Sequence, residues 1–117
     1  MFESEVQSIY TTLFKEIKIS EDELNIIIAL PIKRATHLSI KYIKRYKTPI
    51  RRWPFVVGAA VSLVSGAYAL DEEVDGCIYI DDWLKVIGLP NDKMNKRRFF
   101  SYQMRMFKTE NFNIPCE

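Results

Sequence analysis

Twelve of the seventeen Lys and Arg residues lie in two windows that contain no acid. One window holds Lys93, Lys96, Arg97, Arg98, Arg105 and Lys108, with Ser101 among them. The other holds Lys41, Lys44, Arg45, Lys47, Arg51 and Arg52. Side chains of this kind pair with anions, whether phosphate oxygens or the carboxylates of an acidic protein partner. Projected at about 100° per residue, Arg97, Lys108, Ser101, Arg105 and Arg98 share an arc of about 100° on a helix. Met94 falls inside that polar arc, while Phe99, Phe100, Tyr102, Met106 and Phe107 lie on the broad remainder. The blander account of this arc is a solvated cationic face. For the second window, phosphate contact competes with cations gathered at a helix C-terminus, where the helix dipole favours them.

Other chemistry has little to work with. Cys77 and Cys116 are far apart, no C-x-x-C exists, and His37 is the only histidine. A four-ligand zinc site is therefore not expected, and two reduced thiols are the simpler reading. Asp81 and Asp82 are adjacent and do not face each other on a helix, so capping explains them better than paired catalysis. No nucleophile–base pair and no glycine-rich phosphate loop stands out. The expectation is a protein that is not an enzyme, with no cofactor, no metal and no small-molecule substrate.

The elements that position these residues read as helices. A chain of 117 residues, 48% hydrophobic and 27% charged, suits one globular domain spanning residues 1–117. The net charge of +2 conceals a two-sided surface, because acids gather at Glu21–Glu23 and between Asp71 and Asp82. The start, Met1-Phe2-Glu3-Ser4-Glu5, is acidic and polar, so no signal peptide is expected. The apolar run from Phe55 to Leu70 is shorter than the roughly twenty residues of a membrane span.

Val6, Ile9, Tyr10, Leu13 and Phe14 predict a helix over 3–15. Ser20 with Glu23 forms a capping box, opening a short helix to about Ala29 that Leu30-Pro31 ends. Ile32 to Tyr46 predicts a third helix, with Ala35, Leu38, Tyr42, Ile43 and Tyr46 on one face and Ile40 toward the polar side. Thr48-Pro49 marks a connection. The next helix, about 54–70, is apolar all round and should sit inside the others, with Gly58, Ala59, Ala60 and Gly66 permitting close approach. An acidic loop over 71–76 follows, and only residues 77–80 could form β structure. Asp81 caps a short helix over 82–86 that Gly88 ends. Leu89-Pro90-Asn91 opens the last helix, to about Phe107, and the tail from Lys108 is expected to be loosely held.

One segment carries a family resemblance. Arg52-Trp53-Pro54-Phe55-Val56-Val57-Gly58-Ala59-Ala60 resembles the R-x-P-x-x-V-x-A-A signature of the transcription factor IIB core repeat. It agrees at Arg52, Pro54, Val57, Ala59 and Ala60. Leu30-Pro31 resembles the L-P ahead of that family's second helix. Tyr79-Ile80-Asp81-Asp82-Trp83-Leu84 resembles its T-L-D-E-I motif, and Gly88-Leu89 takes the place of its G-V. The likeness covers roughly residues 22–107. It implies an all-α, cyclin-like orthogonal domain of about five helices plus an N-terminal helix, with the buried central helix near 54–70.

The same resemblance implies a helix-turn-helix made by the last two helices, with the second facing a DNA major groove. Lys93, Lys96, Arg97, Arg98, Ser101, Arg105 and Lys108 then become candidate nucleic-acid contacts, since arginine suits phosphate and guanine edges and lysine suits phosphate. Lys41, Lys44, Arg45, Lys47, Arg51 and Arg52 form a secondary patch. The expected function is transcription-related binding of double-stranded DNA. The alternative is an adaptor that docks transcription-machinery proteins through a cyclin-type groove. Either role is expected in the cytoplasm of an archaeal-type cell or of a virus-infected prokaryote, or in a nucleus, and without a membrane.

Overall fold

The computed structural model describes residues 2–13, 20–67 and 80–110. It is all-helical over those residues: α1 (Glu3–Leu13), α2 (Glu21–Tyr46), α3 (Trp53–Ala67), α4 (Ile80–Val86) and α5 (Lys93–Thr109). A single 3-10 turn, Ile50–Arg52, leads into α3. None of these helices is long and apolar enough to cross a membrane.

The apolar stretch becomes the centre of the fold. Every residue from Phe55 to Val61 that carries a side chain is buried, as are Val64 and Ser65. α3 packs most extensively against α2 on one side and α5 on the other, and it also meets α1 and α4. Gly58 is where the closest approach occurs. A Cβ there would lie 2.9 Å from Cγ2 of Ile87 and 3.0 Å from Cε2 of Phe99. Those distances are below ordinary contact, so the absence of a side chain lets α5 and the end of α4 settle onto α3. Pro54 stands in the first turn of α3, where no backbone N–H is needed.

Pro31 does not end a helix. α2 runs without interruption through it for 26 residues, so the two helices expected over 20–46 are one. Proline removes one backbone donor and crowds the preceding turn, a cost of about 3 kcal/mol in an exposed helix. Here the Pro31 ring is fully buried, and packing of the apolar ring offsets part of that cost. The N-cap of α2 is as expected, with the Ser20 hydroxyl accepting from the Glu23 N–H at 3.1 Å. At the other end Lys47 adopts a left-handed conformation, φ 49°, and its N–H donates to the Ile43 carbonyl. Ile40, expected toward the polar side, is half-buried and packs on the core. Thr36 and Ser39 are buried too, and the Ser39 hydroxyl donates to the Ala35 carbonyl at 2.8 Å.

The connection from α4 to α5 is tightly specified. Gly88 takes φ +78°. The Leu89 N–H donates to the Leu84 carbonyl at 2.9 Å and the Gly88 N–H to the Lys85 carbonyl at 3.1 Å. This double closure is the Schellman ending that glycine permits. α4 begins at Ile80, one residue ahead of the expected Asp81 cap, and that residue is helical where a strand was the alternative. The expected acidic loop over 71–76 and residues 77–79 lie outside the described residues. α5 opens at Asp92 rather than at 89–91. The Asp92 carboxylate accepts from the Asn95 N–H at 2.8 Å, and Asn95 Nδ2 donates to the Pro90 carbonyl at 2.9 Å. The helix continues through Thr109, so Lys108 belongs to α5 and not to a loose tail.

Candidate functional site

The position of α5 is fixed from its apolar side. Phe99 is fully buried against α3 and stacks with Trp83, ring centres 6.5 Å apart. Gln103 Nε2 donates to the Ser62 hydroxyl of α3 at 2.8 Å. Tyr102 stacks on Phe55 at 5.8 Å and meets Tyr42 of α2 edge-on at 5.9 Å. Tyr42 in turn lies 4.6 Å from Tyr46. A run of four rings therefore leads from the core out between α2 and α5.

Tyr102, Tyr42 and Tyr46 of that run form the floor of an open groove. Its inner part, about 510 Å³, is lined by Lys93, Met94, Arg97, Arg98, Ser101 and Arg105 of α5, with Tyr42 and Tyr102 beneath. A second hollow continues it past Tyr46, Phe100, Met104 and Lys108, sharing Ser101 and Arg105 with the first and adding Arg45 from α2. The second basic window thus reaches this surface through Arg45. Tyr46 is the junction, with the Arg45 guanidinium 5.7 Å and the Arg105 guanidinium 5.5 Å from its ring centre. Its hydroxyl shares a 2.7 Å hydrogen bond with that of Thr109.

Of the residues expected on the α5 face, Lys93, Arg97, Ser101, Arg105 and Lys108 are exposed, and Arg98 is half-buried at the groove wall. Lys96 is half-buried and lines neither hollow. It is about 100° from Arg97 on the side away from Arg98. In the second patch, Arg45 alone lines the groove. Lys41, which lines neither hollow, is paired with Glu110 at 3.0 Å. Lys44, Lys47 and Arg51 are exposed and Arg52 is half-buried, the last three around the turn into α3. Phe100, on the apolar remainder of the α5 projection, is nonetheless 57% exposed, and Met94, inside the polar arc, is 59% exposed. Tyr42, on the apolar face expected for this helix, is 2% exposed.

Tyr42 is the residue whose part the sequence concealed. Its hydroxyl oxygen is buried beside the Arg105 guanidinium, and its proton has no acceptor among the described residues. Burial pushes its pKa above the ordinary 10.0, outweighing the opposing pull of the Arg105 guanidinium beside it. The phenol is therefore a donor at neutral pH. Among the described residues no acid lines the groove, and α5 itself carries none. Cations gathered over low-dielectric rings focus a positive potential, which draws anions.

A separate hollow of about 550 Å³ lies between α1, the start of α3 and the end of α4. Phe2, Ile9, Ile50, Trp53, Val57 and Ile87 dominate it, and Ile50 is 72% exposed. No protein-family model, no curated protein and no solved structure matches this chain.

Proposed function

We propose that this chain is a non-catalytic, transcription-related protein that holds double-stranded DNA on the basic face of α5, in the manner of one factor IIB-type repeat. The observation that carries this reading is the row of α5 cations, Lys93, Arg97, Arg98, Arg105 and Lys108, along one groove, which Arg45 of α2 joins. The ordered reversal at Gly88 supports it, because α4 and α5 then form a short helix, a turn and a longer helix whose outer side is cationic. The setting is a prokaryotic or archaeal-type cytoplasm, or a nucleus.

The test is fluorescence anisotropy of a labelled duplex of about sixteen base pairs, repeated across salt concentrations. Affinity should fall steeply with salt, with a log–log slope near −0.9 for each phosphate neutralised. Arg97→Glu with Arg98→Glu should weaken binding at least tenfold at about 0.1 M salt. Unchanged affinity in that double variant defeats the reading.

A second reading rests on the apolar hollow beside Ile50. An adaptor would seat an apolar segment of a transcription-machinery protein there, and its binding would survive higher salt. Ile50→Asp separates the two, since it damages the adaptor mode and leaves α5 untouched.

A further inference from the structure

Tyr42 presents an unusual combination. It is a groove-lining residue, it is almost wholly buried, and, apart from the Arg105 guanidinium beside it, its hydroxyl meets no partner among the described residues, so its proton has no acceptor. A buried hydroxyl whose proton finds no acceptor is uncommon in a folded protein and calls for an explanation. Tyrosine is not needed for bulk at this position, because phenylalanine would supply the same ring contacts to Tyr46 and Tyr102. Around it stand four cations, Lys93, Arg97, Arg98 and Arg105, together with the Ser101 hydroxyl, and among the described residues no carboxylate. Cations that gather without a counter-charge repel one another, and an anion relieves that repulsion. Guanidinium groups match the oxygens of phosphate two at a time, while hydroxyl donors complete its shell. The hollow, about 510 Å³, is far larger than one phosphate, and Met94 and Tyr102 give it an apolar side.

We infer that the groove between α2 and α5 is a phosphate-ester pocket in which Tyr42 donates its hydroxyl to a phosphoryl oxygen, alongside Arg97, Arg98 and Arg105. The inference rests on the reading of this groove as the nucleic-acid face, and adds a specific anchor to it. The Tyr42 oxygen is sealed from water, so the incoming ester reaches it by displacing the Arg105 side chain toward Tyr46. The Met94 and Tyr102 side receives the nucleoside attached to the phosphate. The ester has two possible sources, the diester of a nucleic-acid backbone or the monoester of a free nucleotide.

The experiment compares the full chain with Tyr42→Phe, using a labelled sixteen-base-pair duplex and, separately, 5′-AMP by isothermal titration. Tyr42→Phe should weaken duplex binding about tenfold, the effect of one hydrogen bond to a charged group. The salt slope should stay the same, because no charge is lost. The unliganded melting temperature should move by no more than about 3 °C, which separates ligand contact from damage to the fold. Duplex binding that depends on Tyr42, without AMP binding, assigns the backbone as the source. AMP binding that depends on Tyr42, without duplex binding, keeps the pocket and removes the DNA reading. Duplex binding lost in the Arg97→Glu, Arg98→Glu variant but unaffected by Tyr42→Phe keeps the DNA reading and overturns the pocket. Equal affinity of wild type and Tyr42→Phe for both probes overturns it outright.

Discussion

The Arg105 guanidinium of α5 lies 5.5 Å from the centre of the Tyr46 ring of α2, joining residues 59 positions apart in the chain. This contact marks the junction of the two hollows of the groove, and the Tyr46–Thr109 hydrogen bond reinforces it. Tyr46→Leu keeps apolar bulk but loses both the ring face and the hydroxyl. It should cost about 1 kcal/mol, read as a lower urea midpoint with an unchanged m-value.

Phe99 carries the seating of α5. Its side chain is fully buried between α3 and Trp83. Phe99→Ala should destabilise by about 3–5 kcal/mol through lost burial and the cavity it leaves. Chemical denaturation measures this, and a loss under about 1 kcal/mol would contradict the packing described.

Gly58 tests the same interface from the other side. Gly58→Val gains a little helix propensity but drives atoms into Ile87 and Phe99. The net effect should be a loss of about 1–3 kcal/mol. Ile87 is half-buried and can give way, whereas Phe99 cannot, so Gly58→Val with Ile87→Ala should recover only part of the loss.

Lys47 offers a gain instead. Its left-handed backbone at the end of α2 strains a residue that carries a Cβ. Lys47→Gly should stabilise by about 0.5–1 kcal/mol, after the extra entropy of glycine in the unfolded chain is counted. Thermal melts at low protein concentration check this.

Tyr42 predicts a pH dependence at the alkaline end. Its folded pKa stands above the unfolded value because burial disfavours the phenolate. The stability it contributes is complete below about pH 10 and is lost as pH rises through the folded pKa. In Tyr42→Phe that component of the alkaline decline disappears. At neutral pH the variant should differ from wild type by less than about 1 kcal/mol, since the hydroxyl proton it loses has no acceptor among the described residues.

The all-helical class and the central place of α3 were legible because they depend on local pattern. A run apolar on every side has no surface to show to water, so it goes inside. Ser20 and Gly88 were legible for the same reason, one as an N-cap and the other as a residue able to take positive φ. Pro31 was misread because its neighbours decide its fate: a proline costs a helix less when its ring fills a core space. Phe100 was misread because composition says nothing of which ring a neighbouring helix will cover. The cations were readable as two windows, but the approach of Arg45 to the α5 row was not. It depends on Tyr46 reaching Arg105 and Thr109 across two helices, a relation that leaves no period in the sequence. Tyr42 was hidden for a similar reason, since a phenol at an apolar helical position looks like any other core ring.

The unbroken passage of α2 through Pro31 divides that helix into a guarded and an unguarded length. Beyond the proline, Ala35, Leu38, Ser39 and Tyr42 are sunk in the interior, whereas ahead of it Ile28 is anchored and Asn25, Ile26 and Leu30 face water. A protease able to open a helix should therefore cut between residues 22 and 30 long before it cuts between 32 and 46. The nicked protein should keep the α2–α5 groove, because every α2 residue that lines it comes after the proline.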